Sequence, residues 1–383
     1  MAGTRGNGEG SIYQRRDGAW CAAVSLPDGR RKVLYGRTRA EASRKLTDTL
    51  KAVGSGLPVP GVRLTVGAYL ADWLATLQAS GSIRATTHYS YTQYCQHHLI
   101  PGLGRLSLAT LTPNQVDRFL AERAAAGLSA RARRYMRTVL RVALNTALRQ
   151  GLVMRNAASL ATAPKAERPD IHPFTPEEAT TFLAAIHGNR LEALYLLVLA
   201  TGLREGEALA VGQGDVDLAT GTLRVRHNLV RLHGEYRREP LKTDKSRRDL
   251  ALPASVIAAL QAHIDRQRFD RQKAEEVGRW AGNEWGLLFT SETGRPIHYA
   301  TANQRFQAVL KAAGLPKRHF YTLRHSAASL LIAQGADLHD VKNQLGHSTI
   351  ALTSDTYAHV YDARKRELAA GMDTFLIGAG SGS

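Results

Sequence analysis

The chain has 383 residues, of which 44% are hydrophobic and 22% charged. That excludes a mini-protein, a disordered polymer and a fibrous rod, and predicts about two or three folded domains. Lys and Arg number 51 against 33 Asp and Glu, a formal charge of +18, so a polyanionic partner is expected.

Along the chain, Asp17-Gly18 and Asp28-Gly29 separate three strand-like runs, SIYQ from Ser11, Ala19 to Leu26, and Arg30 to Tyr35, which predicts a three-stranded antiparallel sheet. Thr38 with Glu41 forms a capping box, opening a helix to about Val53, and Gly54-Ser55-Gly56 with Pro58 and Pro60 reads as a linker. From Thr65 the apolar residues Val66, Tyr69, Leu70, Trp73, Leu74 and Leu77 recur at helical spacing. Further helices are expected over Ala85–Leu99, Pro113–Ala126 behind the cap Thr112, and Ala130–Gln150 with Gly151 as C-cap, together an all-α bundle. A polar, proline-containing stretch near Pro164–Pro173 leads to Thr175-Pro-Glu-Glu178, the start of a mostly helical part. Strand-like stretches at TLRVRHNLV and SRRDLAL, around a His233-Gly234 turn, and a short strand at Leu287–Thr290 interrupt it.

Charge follows these divisions. Residues 1–63 hold 12 basic and 5 acidic side chains, residues 64–165 hold 12 and 3, and residues 166–383 hold 27 and 25. Two strongly basic front segments and a near-neutral remainder suit modules that hold DNA, joined to a part with another task. The contact candidates are Arg15, Arg16, Arg30, Arg31 and Lys32 in the first segment, and Arg131, Arg133, Arg134, Arg137 and Arg141 in the second. Cys21 and Cys95 fit neither a disulfide framework nor a metal-ligand spacing, so no metal is expected and a reducing cytoplasm fits. MAGTRGNGEG carries no apolar stretch behind it, and Leu194–Leu203 is too short to span a bilayer, so neither an export signal nor a membrane association is expected.

Four boxes in the last part stand in a definite order: TGLREGE at 201–207, LKTDKSRR at 241–248, YTLRHS at 321–326 and LGHSTIALTSDTY at 345–357. In that order and at those separations, including the ten residues from His347 to Tyr357, they resemble the tyrosine recombinase family, the phage and mobile-element integrases built like the lambda enzyme. The resemblance implies a multidomain α+β chain. A small three-stranded β-sheet plus helix domain of the arm-binding type would occupy 1–56, an all-α core-binding bundle 57–165, a mixed, mostly-α catalytic domain with a small antiparallel sheet 166–370, and a C-terminal tail 371–383. It also implies a site-specific recombinase working without cofactor on double-stranded attachment sites. The enzyme would act as a homotetramer on DNA in the bacterial cytoplasm, with room for an excisionase and a DNA-bending host factor.

The residue types suit that chemistry. A phosphodiester under attack spreads charge over its equatorial oxygens, and a guanidinium, always protonated and forked, matches them; Arg204 and Arg324 suit this role. By resemblance Tyr357 is the nucleophile that forms a 3′-phosphotyrosyl bond, keeping the bond energy so that another strand can be joined without ATP. Lys242 resembles the general acid that protonates the leaving 5′-oxygen, with Lys245 as its alternative, and His347 resembles the hydrogen-bond donor to the phosphate. Glu207, three residues after Arg204, can orient its guanidinium. In the family a histidine, the favoured proton acceptor, usually stands three residues before the second arginine. Here it is Tyr321, able to donate a hydrogen bond to the phosphate but a poor base at neutral pH. The acceptor is then water, His319, His325 or the substrate itself.

Two other functions fit the charge: a DNA-binding regulator on the same scaffold with impaired catalysis, and a topoisomerase-like nicking enzyme. A second basic module favours the integrase over the nicking enzyme. A metal-dependent transposase would need a carboxylate trio that no stretch suggests.

Overall fold

The computed structural model describes residues 10–25, 31–54, 64–165, 172–241 and 243–346, with Ala369 and Met372 beyond. It divides into two compact units, Met1–Arg168 and Pro169–Ser383.

In the first unit, β1 (Ser11–Gln14), β2 (Trp20–Ser25) and β3 (Arg31–Gly36) form the expected antiparallel meander. Alternation along β2 sends Ala22 and Val24 to one face, where Ala42 and Leu46 of α1 (Arg39–Gly54) cover them. On the other face Cys21 lies in register between Tyr13 and Tyr35, whose rings remain exposed. The cap of α1 is offset from the expected box. Thr38 Oγ1 accepts the Glu41 N–H at 3.2 Å, but Glu41 reaches back to the N–H of Arg37 at 2.9 Å.

A second, separate core in this unit gathers α2 (Val66–Ser80), α3 (Ala85–Tyr94), α4 (Ile100–Leu103), α5 (Pro113–Ala125), α6 (Ala130–Arg149) and α7 (Ala157–Leu160). The helix expected over Ala85–Leu99 is not uniform. It widens to a π turn at Cys95–Leu99, with the Ile100 N–H donating to Cys95, immediately ahead of Pro101, whose nitrogen has no hydrogen to offer the preceding turn. On α6, Leu140 and Leu144 are buried, while Leu148 is exposed.

The second unit is built on α8 (Pro176–Ile186), α9 (Glu192–Thr201) and α10 (Glu205–Leu209). The small sheet β4 (Val216–Asp217), β5 (Thr222–Val225) and β8 (Arg248–Ala251) follows, with the hairpin of β6 (His227–Leu232) and β7 (Glu235–Pro240) between β5 and β8 in sequence. The helices α11 (Ala254–Glu276), α12 (Tyr299–Ala312), α13 (Thr322–Ala333) and α14 (Leu338–Leu345) complete it. His233 and Gly234, both at positive φ (51° and 89°), make the hairpin turn. Strand β7 was not legible in EYRREP, because its residues alternate between exposed and half-buried positions and no apolar period marks it. Conversely, Leu287–Thr290 forms two isolated bridges, to Gly212 and Pro296, rather than a strand. Side chains take its backbone groups instead: Asn283 and Gln267 donate to Leu287 O, and His263 lies 2.8 Å from Leu288 O.

Phe182, Tyr195, Phe306 and Phe320 pack edge-on or tilted at the centre of this unit, with ring centroids 5.5–6.1 Å apart. Ser326, fully buried, accepts the Phe174 N–H at 2.8 Å and donates to Thr322 at 3.0 Å, seating α13 against the entry to α8. Replacing it by alanine strands a buried N–H. Ser326→Ala should therefore cost about 1–3 kcal/mol in urea unfolding, and an unchanged midpoint would exclude this tie.

Candidate active site

Helix α9 ends at Gly202, in the left-handed region at φ 66°, which turns the chain into Arg204 at the N-cap of α10. There the capping box is built from Glu207. Its Oε2 accepts the Arg204 backbone N–H at 3.1 Å and its Oε1 accepts Arg204 Nη1 at 2.7 Å, so one carboxylate caps the helix and aims the guanidinium. Arg204 Nη2 donates to Gly346 O at 3.1 Å, and its side chain stays 38% exposed.

Arg324, in the first turn of α13, is 1% exposed and donates to Gly202 O and to Leu345 O, the latter at 2.8 Å. Burial, then the nearby Arg204 charge, lower its pKa to about 10, which still leaves it protonated at neutral pH. Arg248, the first residue of β8, donates through Nη2 to Glu207 Oε2 at 2.9 Å and through Nε to Gln344 O at 2.8 Å. Three guanidiniums thus occupy three consecutive carbonyls, Gln344, Leu345 and Gly346, at the C-terminal end of α14, where the helix dipole presents negative charge. Glu207 is 2% exposed. Burial acts to raise its carboxyl, but Arg248 and then Arg204 outweigh burial and hold it below the usual carboxylate range. Three cations against one carboxylate leave a net positive cradle, with the Arg204 head open to solvent.

Tyr321, 39% exposed, stands just ahead of α13 with its ring edge against His325, centroids 5.0 Å apart at 81°. His325 is buried, and burial followed by the Arg324 charge pushes its imidazole down to about 4. It is therefore neutral at pH 7 and too weak a base to compete well for a phenol proton. His319 is exposed, and its Nδ1 accepts the Tyr321 N–H at 3.3 Å. Glu205, beside Arg204, is pushed up to about 7 by burial.

Of the expected residues, Arg204, Glu207, Tyr321, Arg324 and His325 are gathered here from two elements, α10 and α13 with their caps. Lys242, His347 and Tyr357 lie outside the described residues, His347 being the residue after Gly346. Arg248 was missed. It sits in the KSRR run, but on a strand neighbouring arginines point to opposite faces, and nothing local says that Arg247 is exposed while Arg248 turns inward.

The basic modules sort in the same way. Arg15, Arg16 and Arg31 are exposed, with Arg15 3.6 Å from Asp17. Lys32 is half-buried with its pKa lowered by burial, and Arg30 lies outside the described residues. On α6, Arg131, Arg134 and Arg141 are exposed. Arg133 and Arg137 are half-buried and donate to the chain's own carbonyls, Arg133 to Leu128 and Arg137 to Ser159 and Ala161.

The depressed His325 pKa has a thermodynamic consequence. The unfolded chain, with a histidine pKa of about 6.5, binds this proton more readily than the folded one, so stability falls as pH drops from about 6.5 toward about 4. Urea unfolding across that window should show a shallower fall in His325→Gln than in the parent. Part of the slope should persist from His263, also lowered by burial. Identical slopes in the two proteins would contradict the assignment.

Residues 173–364, half of the chain, match the model of the phage integrase family. Among curated relatives, an integrase of Streptomyces ambofaciens is 32% identical, covering 93% of this chain and 94% of its own. A tyrosine recombinase XerC-like protein of Caldanaerobacter subterraneus subsp. tengcongensis is 28% identical over 91% and 92% of the two chains. Among solved structures, the Tn1549 transposon integrase in complex with a circular intermediate DNA superposes with a TM-score of 0.67 at 21% identity, covering 80% of this chain and 99% of that one. A lambda integrase tetramer bound to a Holliday junction gives 0.54 at 22% identity, over 88% and 95% of the two chains; both share the fold. The gathered arginines, the matching family model and a relative aligned almost end to end lead to one conclusion: this chain belongs to the phage integrase family of site-specific tyrosine recombinases.

Proposed function

We propose that the chain cuts and rejoins DNA strands at attachment sites of a phage or mobile element, with Tyr357 as nucleophile. Arg204 and Arg324 hold the scissile phosphate, His347 donates to it, and Lys242 protonates the departing 5′-oxygen. The observation that carries this reading is the cluster of Arg204, Arg248 and Arg324 around Glu207 at the end of α14. It is a preorganised cationic cradle, and His347 is the next residue in the chain. Tyr321, exposed just ahead of α13 and near Arg324, serves as a hydrogen-bond donor to the phosphate. Because His325 is buried and neutral, the Tyr357 proton goes to water, His319 or the substrate.

Residues 1–56 form an arm-type DNA-binding domain and 57–165 a core-type one, with residues 166–370 catalytic and the tail 371–383 placed against a neighbouring subunit. Exposed Arg15, Arg16 and Arg31 serve the first, and exposed Arg131, Arg134 and Arg141 the second. The solved lambda tetramer on a Holliday junction supports a homotetramer as the working assembly. An excisionase and a DNA-bending host factor would set its direction. Among the described residues no helix is long and apolar enough to cross a membrane; action on DNA in the bacterial cytoplasm is part of this reading.

The decisive test is covalent trapping on duplex DNA that carries the element's own junction and a nick beside the cleavage position. The parent chain should form a protein–DNA adduct and Tyr357→Phe none, while Arg204→Lys slows adduct formation by about 100-fold or more. Tyr321→His should retain or raise cleavage. Binding without any adduct would make the chain a DNA-binding regulator. A second measurement concerns salt: the logarithm of the DNA affinity should fall with log salt at about 0.9 per phosphate contacted. Arg134→Gln should lower that slope without changing sequence preference, and an unchanged slope would remove Arg134 from the DNA interface.

A further inference from the structure

Arg204 and Arg324 are fixed by different means. Arg324 is buried and takes two backbone carbonyls, so the fold itself holds it. Arg204 is partly exposed, and among the described residues its guanidinium is oriented by one carbonyl and by Glu207. The carboxylate is therefore the part on which the clamp's geometry turns, and its other oxygen is shared between the Arg204 backbone and Arg248.

We propose that Arg248 is a positioning residue for phosphoryl transfer: it fixes the Glu207 carboxylate and, through it, the Arg204 guanidinium, while tying β8 to the end of α14. The inference rests on the catalytic reading of Arg204 given above.

Three observations carry it. The Arg248 side chain is 8% exposed, and its donors go to three places, Glu207 Oε2 on α10, Gln344 O on α14 and Ser246 O in its own turn. Gly346, at φ 65°, lies directly on it, and a Cβ there would stand 3.0 Å from Nη1 and 3.3 Å from Cζ. The left-handed glycine that ends α14 is thus also the space the guanidinium occupies. Finally, the segment holding Lys242 is anchored at both ends. Leu241, before it, donates its N–H to Arg226 O at 3.0 Å. Arg248, after it, offers its carbonyl to Arg226 Nη1 at 2.9 Å. One side chain, Arg248, therefore joins the stretch carrying the general acid, the arginine clamp and the helix that leads to His347.

Among the described residues, the charged groups facing Glu207 are Arg204 from its own loop, Arg248 from β8 and Arg324 from α13. Without Arg248, burial would raise the Glu207 carboxyl. A protonated acid cannot hold the guanidinium as a carboxylate does, so cleavage would then require higher pH.

The test uses the full chain on the nicked junction duplex. Arg248→Met should slow adduct formation by about 100-fold, the scale of a misplaced clamp, leave DNA affinity unchanged, and move the acid limb of the pH–rate profile upward. Arg248→Lys, which restores the charge at Glu207, should recover much of the rate and return the limb toward that of the parent. The double variant Arg248→Met with Glu207→Gln should be no slower than the slower single variant, because both act through one unit. A parental rate and profile in Arg248→Met, or losses that multiply in the double variant, would overturn the inference. If Arg248→Met does not fold, Arg248→Lys decides: an acid limb above that of the parent, abolished when Glu207→Gln removes the titrating carboxyl, supports the role, and a parental limb at reduced rate rejects it. An unaffected Arg204→Lys would instead sink the underlying site assignment, whereas an impaired Arg204→Lys beside a normal Arg248→Met would sink only this proposal.

Discussion

A carboxylate taken out of water must be matched by positive charge, and in this protein that requirement organises the site. Glu207 is buried to 2% exposure on a five-residue helix, and the fold meets its charge with two arginines, Arg204 at the cap of the same helix and Arg248 brought in on a strand. Those cations in turn find acceptors in the carbonyls that end α14, which no residue within the helix can satisfy. A helix end, a helix cap and a buried ion pair are thus solved by one set of contacts. The same contacts leave a surplus of positive charge facing outward.

That surplus is what phosphoryl transfer needs. Donors already held in place by backbone carbonyls and a buried carboxylate do not have to reorganise when charge develops on a phosphate. Burial lowers the Arg324 pKa only to about 10, so the clamp keeps its charge across the neutral range. The arrangement also separates labour between the two arginines, one locked in the core and one at the surface, within reach of a ligand.

Position 321 departs from what the family resemblance leads one to expect. In place of a histidine the chain has Tyr321, and the neighbouring His325 is turned into a neutral, buried ring packed edge-on against it. Among the described residues the site is therefore rich in donors, and its buried imidazole is a weak base, which suits holding a phosphate more than abstracting a proton. Basic residues in the first unit show the same economy: some remain exposed on the sheet and on α6, while Arg133 and Arg137 tie down loop and helix-end carbonyls.

Most elements were legible in the sequence because their signals are local. Turn dipeptides bounded the first sheet, helical spacing marked α2 and α6, and Thr-Pro-x-Glu and Thr-Pro-x-Gln boxes started α8 and α5. The order of four short boxes pointed to the family, and Arg204, Glu207, Tyr321, Arg324 and His325 came from them. What was not legible depends on partners distant in sequence. Strand β7 has no apolar period and exists because β6 pairs with it. Leu287–Thr290 fails to become a strand because side chains of α11 and Asn283 take its carbonyls. Arg248 is one of two adjacent arginines until β8 pairs with β5 and turns it toward Glu207. Local order along the chain determined the elements and the reaction class. The tertiary structure decided which arginines stay exposed and which are ties for the fold, since that depends on where carbonyls and a single carboxylate come to lie when residues some 40 to 140 positions apart are brought together.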